Sequence, residues 1–367
     1  MLAWLKKEKV LMIVMALAVV SVFIVPPDAG YLGYVDVRVL ALLFCLMLLV
    51  KGFQSIGVFD WLIGRVFGRV ANARRLCVLL VLMCYFSSMV ITNDVALITF
   101  VPFAIMALRL CGQERLMIRV VVLQTIAANL GSMATPIGNP QNLYLFSVSG
   151  MSLGAFLATM LPLAGLSLLL ILAALMTIPR EPIRMALPDR AVSLPLRELL
   201  VYGALFAVNL LVVFRVLHWG VALVLTVAGV LAMRRALLLK QVDYALLLTF
   251  VGFFIFVGNL GRVGFINEWL GQALQGREVL LAALMSQALS NVPAALLLSG
   301  FTDNYAALLA GVNIGGLGTL IASMASLISY KLYAAEPDAQ KGRYMLVFTG
   351  YSIVGLAVLL GFALLVG

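Results

Sequence analysis

Long apolar runs, separated by short polar stretches, dominate the chain from one end to the other. They lie at 10–25, 37–53, 76–110, 117–150, 153–178, 199–217, 219–233, 243–260, 278–301, 306–333 and 344–366. A helix that crosses a hydrocarbon core of ~30 Å needs about 20 mostly apolar residues. The pattern therefore predicts an all-α polytopic membrane protein in which residues 1–367 form one membrane domain.

Polar and glycine- or proline-rich stretches interrupt some of these runs. The interruptions are Thr92-Asn93-Asp94 in the run 76–110, Thr135-Pro136-Ile137-Gly138-Asn139-Pro140-Gln141-Asn142 in the run 117–150, and Gly315-Gly316-Leu317-Gly318-Thr319 in the run 306–333. Irregular backbone is costly in lipid and is tolerated where it lines a cavity. We therefore expect helices that break near the middle of the membrane.

The interruptions belong to a pattern that occurs twice in the chain. Ser88-x-x-x-Thr92-Asn93 matches Ser286-x-x-x-Ser290-Asn291 at a spacing of 198, and Asn129-x-Gly131-x-x-x-Thr135 matches Asn313-x-Gly315-x-x-x-Thr319 at a spacing of 184. The matches predict repeats at 1–178 and 219–367, with re-entrant hairpins at 76–110 and 278–301 and broken helices at 117–150 and 306–333. Residues 179–218 are predicted to form a cytoplasmic loop and a linking helix. Broken helices at matching positions of two halves are typical of a secondary transporter's binding site.

The basic residues predict how the chain is oriented. If both hairpins enter and leave on one side, nine segments cross the membrane. With the N-terminus in the cytoplasm, all but four of the 25 lysines and arginines then lie at cytoplasmic ends, and the exceptions are Arg38, Arg215, Arg262 and Arg277. This positive-inside bias makes the two repeats inverted and places the C-terminus in the periplasm or outside the cell. The amphipathic segments 54–72 and 261–277 are expected to lie at the membrane interface.

Composition excludes several other classes of protein. Apolar residues make up 64% of the chain and charged residues only 11%, whereas about 25% of a soluble protein is charged. The net charge of +10 comes from residues at the ends of apolar runs, so we expect no nucleic-acid partner. With His218 as its single histidine and no metal-ligand spacing among its four cysteines, the chain is not expected to be an enzyme or to hold a cofactor other than bound sodium.

The hairpin tips and broken helices carry the residues that we expect to bind ions and substrate. Hydroxyl, amide and freed carbonyl oxygens suit a hard cation such as sodium, and helix N-termini suit an anion. The predicted cation ligands are Thr92, Asn93, Asp94, Ser290, Asn291 and Thr319, with sodium expected at Asn93, Asp94 and Asn291. The predicted substrate ligands are Asn93, Thr135, Gly138, Asn139, Pro140, Gln141, Asn142, Asn291, Thr319 and Ser323.

Asp94 is the only acid well inside an apolar run. A charge at the bilayer centre costs ~2.5–3.5 kcal/mol on insertion scales, so such a residue usually has a function. One interpretation is a cation ligand or proton carrier, and the other is a carboxylate that caps the following helix. Similar alternatives remain for the asparagines Asn129 and Asn313, which either bind or only join helices.

These motifs resemble those of the ion transporter superfamily, which includes divalent anion/sodium symporters, citrate transporters, arsenite permeases and NhaD-type sodium/proton antiporters. Thr92-Asn93 and Ser290-Asn291 resemble the hairpin tips of the dicarboxylate symporters, and the stretch from Thr135 to Asn142 resembles their Gly-Thr-Pro-Pro-Asn loop. Thr92-Asn93-Asp94-Val95-Ala96-Leu97 is similar to the arsenite permease and NhaD branch. Both motifs also occur together in YbiR-type inner-membrane transporters.

The resemblance implies a mobile transport domain that carries both hairpins, a scaffold domain, elevator-like movement and a homodimer. It also implies sodium at the hairpin tips and a small anionic substrate, a carboxylate or an oxyanion, between them. The expected function is secondary transport of that anion across the inner membrane, coupled to sodium or protons. The alternative is a sodium/proton antiporter in which Asp94 is the exchanging carboxylate.

Overall fold

The computed structural model describes residues 9–67, 72–183 and 194–366, and within them the chain is helical with no strand. The helices are α1 (Lys9–Ile24), α2 (Val37–Ser55), α3 (Val58–Phe67), α4 (Ala73–Ile91), α5 (Asn93–Leu110), α6 (Met117–Ser132), α7 (Pro140–Ser149), α8 (Leu153–Met176), α9 (Leu196–Val213), α10 (Trp219–Ala232), α11 (Tyr244–Gly261), α12 (Gly264–Leu274), α13 (Glu278–Leu289), α14 (Asn291–Leu298), α15 (Tyr305–Ile314), α16 (Met324–Ala334) and α17 (Lys341–Val366).

Among the described residues, seven helices are long and apolar enough to cross a membrane: α2, α4, α5, α8, α9, α11 and α17. This confirms the prediction of a polytopic all-α membrane protein. Two of the seven, α4 and α5, are the arms of the predicted first hairpin, so the number of crossings stays a prediction. The orientation also stays a prediction, and five of the basic residues on which it depends, Lys6, Lys7, Arg69, Arg184 and Arg190, lie outside the described residues.

Each of the two predicted hairpin tips is a single residue between two helices. Thr92 separates α4 from α5 with φ 70° and ψ 153°, and Ser290 separates α13 from α14 with φ 77° and ψ 154°. A positive φ is uncommon for a residue with a side chain and costs on the order of 1–3 kcal/mol. The same strained conformation therefore occurs at two positions that the sequence motif pairs.

The long interrupted runs are broken as well. The chain between α6 and α7 leaves the helix after Ser132 and enters the next one at Pro140, whose fixed φ suits the first helical position. Between α15 and α16 the helix stops at Ile314 and resumes at Met324. The break after α6 is mostly buried, whereas the break after α15 is buried at 315–318 and exposed at Thr319 and Ile321.

The helices pack as two groups that meet along one side. The first group consists of α4 to α8 and α13 to α17, and α6 is buried at its centre against α4 and α5. The second group consists of α1, α2, α9, α10 and α11. The groups touch where α11 contacts α14 and where α2 contacts α7.

Two glycines allow the close helix contacts of the first group. A Cβ added to Gly131 on α6 would lie 2.1 Å from the carbonyl oxygen of Tyr85 on α4. A Cβ added to Gly315, at the end of α15, would lie 2.7 Å from the Cβ of Ser286 on α13. Both glycines follow the repeat spacing, so the same close approach supports each hairpin against its broken helix.

Candidate functional site

Both hairpins and both broken helices line one cavity of about 70 Å³. Such a volume holds a small ion together with a few water molecules. The lining residues are Leu11, Asn93, Asp94, Pro140, Gln141, Asp243, Ala245, Leu246, Thr249, Ser290, Asn291, Val292, Pro293, Ser323 and Met324. The cavity lies where the two helix groups meet, because α1 and α11 form one part of its wall and the hairpins and broken helices form the rest.

Besides α11, whose N-cap Asp243 is one of the lining residues, four helices begin at this cavity. They are α5 at Asn93, α7 at Pro140, α14 at Asn291 and α16 at Met324, and all four residues line it. A helix N-terminus carries a positive partial charge and N–H groups without a helical partner. No lysine or arginine is among the described lining residues. The positive potential available to an anion there comes from the backbone and from any bound cation.

Backbone hydrogen bonds hold each tip against the broken helix of its own half. The Asn93 N–H donates to the Gly138 carbonyl at 3.3 Å, and the Asn291 N–H donates to the Ala322 carbonyl at 2.9 Å. These positions correspond at the repeat spacings of 198 and 184. Each tip is therefore fixed in the same way, although the side chains around the two tips differ.

Two threonine hydroxyls make a second pair of equivalent contacts. Thr135 donates to the Met89 carbonyl and Thr319 donates to the Gln287 carbonyl, the latter at 3.1 Å. In the second half the amide of Gln287 adds to this bracing, since it donates to the Gly315 and Leu317 carbonyls, each at 2.9 Å. These hydrogen bonds hold the ends of the broken helices in place, and they do not form the surface of the cavity.

Asn129 joins its own hairpin tip to the opposite half. Its side-chain oxygen accepts hydrogen bonds from the Asn93 amide at 3.1 Å and from the Ser323 hydroxyl at 2.9 Å. Its amide donates to the Ser326 hydroxyl at 3.1 Å. Ser323 lines the cavity, so this buried asparagine connects two cavity residues from different halves.

Asn313 makes the reciprocal connection from the second half to the first. Its side-chain oxygen accepts from the Asn139 amide at 3.1 Å, and its own amide donates to the Asn142 side-chain oxygen at 2.7 Å. Asn139 and Asn142 occupy the positions that correspond to Ser323 and Ser326. The contacts between the halves are therefore made twice, once in each direction.

Asp94 lies in the first turn of α5 and lines the cavity. Its Oδ1 is buried and has no hydrogen-bond partner among the described residues. The N–H of Asp94 itself donates to the side-chain oxygen of Asn93 at 3.0 Å, so Asn93 performs part of the capping that was one interpretation of Asp94. A buried, unpaired carboxylate oxygen is costly and is a natural ligand for a cation.

The predicted site residues divide into two sets. Those that line the cavity are Asn93, Asp94, Pro140, Gln141, Ser290, Asn291 and Ser323. Those that lie outside the lining are Thr92, Thr135, Gly138, Asn139, Asn142 and Thr319, and the bonds that these residues make brace the tips and the broken helices. Sequence reasoning found the segments of the site but did not separate these two sets.

Sequence reasoning missed the wall formed by α1 and α11. Asp243 is the main omission, since it is an acid that lines the cavity and caps α11, where its Oδ1 accepts from the Leu246 N–H at 2.9 Å. Thr249 and Leu11 also belong to this wall. An aspartate directly before an apolar run is a detectable signal, but it is also the ordinary mark of a helix N-cap.

Comparison with known proteins gives consistent matches over most of the chain. A family model described as citrate transporter, CitMHS, matches residues 1–312. An uncharacterised transporter of Methanocaldococcus jannaschii is 32% identical over 88% of this chain and 87% of its own length. The inner membrane protein YbiR of Escherichia coli is 35% identical over 90% of this chain and 88% of its own length. A silicon efflux transporter of Oryza sativa is 31% identical over 42% of this chain and 31% of its own length.

Proposed function

Because the chain belongs to the citrate transporter family, we propose that it is a secondary active transporter of a small carboxylate or oxyanion. Transport runs across the inner membrane and is coupled to sodium or protons. The observation that carries this proposal is the meeting of four helix N-termini at one cavity. Backbone N–H groups and aligned dipoles at such ends bind anionic groups without any basic side chain.

A coupling cation fits the same cavity. Asp94 supplies a carboxylate oxygen, and Asn93, Ser290 and Asn291 supply amide and hydroxyl oxygens around it. Hard cations prefer such oxygen ligands. A cation at Asn93, Asp94 and Asn291 would offset the negative charge of Asp94 and allow the anion to enter beside it. This is the physical reason for coupled rather than independent binding.

Alternating access in this proposal follows from the paired architecture. The equivalent contacts of Asn129 and Asn313, and the equivalent strain at Thr92 and Ser290, support two inverted repeats around a shared site. The helix group that carries the tips is the mobile transport domain, and the group with α11 is the scaffold of a homodimer. The N-terminus is cytoplasmic, as the positive-inside bias indicates.

The second candidate function is a sodium/proton antiporter. The observation that favours it is the unpaired, buried Oδ1 of Asp94, together with the lack of a basic side chain among the described lining residues. In such a carrier the cation and the proton compete for that carboxylate. No anion would travel with them, which separates the two candidates experimentally.

Flux in proteoliposomes tests both candidates. The substrate panel contains citrate and other carboxylates, silicic acid and inorganic oxyanions, because relatives are named for citrate and silicon. Each is measured with and without sodium and pH gradients. Uptake of an anion that requires an ion gradient supports the first function. Cation exchange without any anion flux would establish the second function and refute the first.

Asp94→Asn tests the role of the carboxylate at nearly constant shape. We expect loss of ion-coupled flux, while the variant still purifies as a monodisperse protein with a thermal midpoint near that of the wild type. Asp303→Asn, in an exposed loop away from the cavity, is the matched control and should transport normally. Wild-type flux in Asp94→Asn would remove Asp94 from the mechanism.

A further inference from the structure

Two acids from different helix groups line the cavity. Asp94 stands at the start of α5 beside the first hairpin tip, and Asp243 stands at the start of α11 in the other helix group. They are 149 positions apart in the chain (243 − 94). Asp243 corresponds to Asp36 in the first half, which caps α2 in the same way by accepting from the Val39 N–H at 3.0 Å. The position that corresponds to Asp94 in the second half is Val292, so the second tip offers no carboxylate.

Neither carboxylate is paired with a basic side chain among the described residues. Asp243 uses Oδ1 to cap α11 and leaves its other oxygen free of that bond. Asp94 leaves Oδ1 buried without a partner. Asp94 Oδ1 is buried, whereas Asp243 is exposed. Two negative charges at one cavity repel each other, and this repulsion adds to the cost of the buried one. A cation held by both removes that cost.

We propose that Asp94 and Asp243 together hold one hard monovalent cation, so that α11 contributes a ligand to the cation site of the first hairpin tip. Oxygen atoms of Thr249 and Ser290 line the same cavity and can complete the coordination. This inference rests on the proposed transport function.

The two ligands lie in different helix groups, and this has a consequence for transport. When the group that carries α5 moves relative to α11, the site loses Asp243 and its cation affinity falls. Arg234, Arg235 and Lys240 precede Asp243, so the positive-inside rule places this end of α11 at the cytoplasmic face. The complete site therefore belongs to the conformation that is open to the cytoplasm.

Asp243→Asn separates the charge of this residue from its structural role. Asparagine is as good an N-cap as aspartate, so the hydrogen bond to the Leu246 N–H is kept while the negative charge is lost. Asp243→Ser is a second neutral variant that keeps a capping oxygen, and Asp243→Glu keeps the charge. Asp303→Asn removes an exposed acid outside the cavity and is the matched control.

The readout is the sodium concentration that gives half-maximal anion flux at fixed pH, with binding of radioactive sodium ions to purified protein as a second measurement. We expect Asp243→Asn and Asp243→Ser to raise that concentration at least about tenfold. Asp243→Glu and Asp303→Asn should stay near the wild-type value. Vesicles of defined orientation should show the shift when sodium is varied on the cytoplasmic face.

Wild-type sodium dependence in both Asp243→Asn and Asp243→Ser, while Asp94→Asn has lost its sodium dependence, overturns this inference. That result leaves the proposed function intact. An equal shift on both faces of the membrane overturns the dependence on conformation. A wild-type protein that moves no anion under any gradient refutes the proposed function itself. Loss of sodium binding in Asp243→Asn with full recovery in Asp243→Glu supports the shared cation site.

Discussion

Gly131 on α6 packs against the backbone of α4, and an alanine at this position gives a quantitative test of how the first hairpin is held. The added Cβ would lie 2.1 Å from the Tyr85 carbonyl oxygen and 2.7 Å from the Ser88 hydroxyl. Ordinary contacts between such atoms are about 3.5 Å long, so the Tyr85 carbonyl, and α4 with it, must move by about 1.4 Å. The nearest atom belongs to the backbone, and a side-chain rotation cannot relieve the clash.

The cost follows from the packing. Overpacking a close-packed interior costs about 1–3 kcal/mol, and replacing a helical glycine by alanine returns about 0.5–1 kcal/mol. The net loss is therefore on the order of 1–2 kcal/mol, which corresponds to a thermal midpoint lower by several degrees for a protein of this size. A shift of α4 also moves Thr92 at the hairpin tip. We therefore expect a larger fractional loss of ion-coupled flux than of thermal stability.

The assay is thermal unfolding of purified protein in detergent, followed by flux in proteoliposomes. Gly165→Ala on α8 is the matched control, because nothing lies within 4 Å of the Cβ that it adds. We expect the control to keep its midpoint or raise it slightly. A Gly131→Ala protein with the wild-type midpoint and wild-type flux would refute the close contact between α6 and α4.

Two other predictions concern the connections between elements. Asn129→Ala leaves buried partners such as Ser323 unsatisfied and should cost ~1–3 kcal/mol in thermal unfolding, with a comparable loss for Asn313→Ala; no loss in either would contradict the reciprocal bridge. The hydrogen bond from Arg262 holds the pKa of Asp28 below its ordinary value. The ionised Asp28 therefore stabilises the fold at pH values above its ordinary pKa, and this stabilisation is lost as the pH falls through the lowered pKa. Unfolding followed from pH 7 to 2 should show this acid-dependent loss in the wild type and not in Arg262→Gln.

Sequence motifs located the segments that line the candidate site, because a polar interruption in an apolar run is visible locally. Such polar, irregular backbone is energetically costly in lipid. The break at Thr92 falls inside the interruption that the sequence shows, and the break between α6 and α7, at 133–139, overlaps the interruption at 135–142. Motifs such as Thr92-Asn93-Asp94 also suggested the superfamily, and the match of residues 1–312 to the citrate transporter family confirms that resemblance.

Local signals could not decide which polar side chains face the cavity. Asn139 and Gln141 are two positions apart in one motif, yet Gln141 lines the cavity while Asn139 caps α7 and bonds to Asn313. The direction of each side chain depends on how the helix start is packed against the other half. A sequence pattern predicts where a helix starts, but it does not specify how that start packs against the other half.

The sequence by itself determined that the chain is a multi-pass membrane protein of this family and where its helices break, and it predicts which segments pair by repetition. These properties follow from hydrophobicity and spacing along one chain. Only the tertiary structure brought Asp243 to the cavity of Asp94 and joined Asn129 to Ser323. Those contacts link residues far apart in sequence, and packing of whole helices, rather than any local preference, sets their distances.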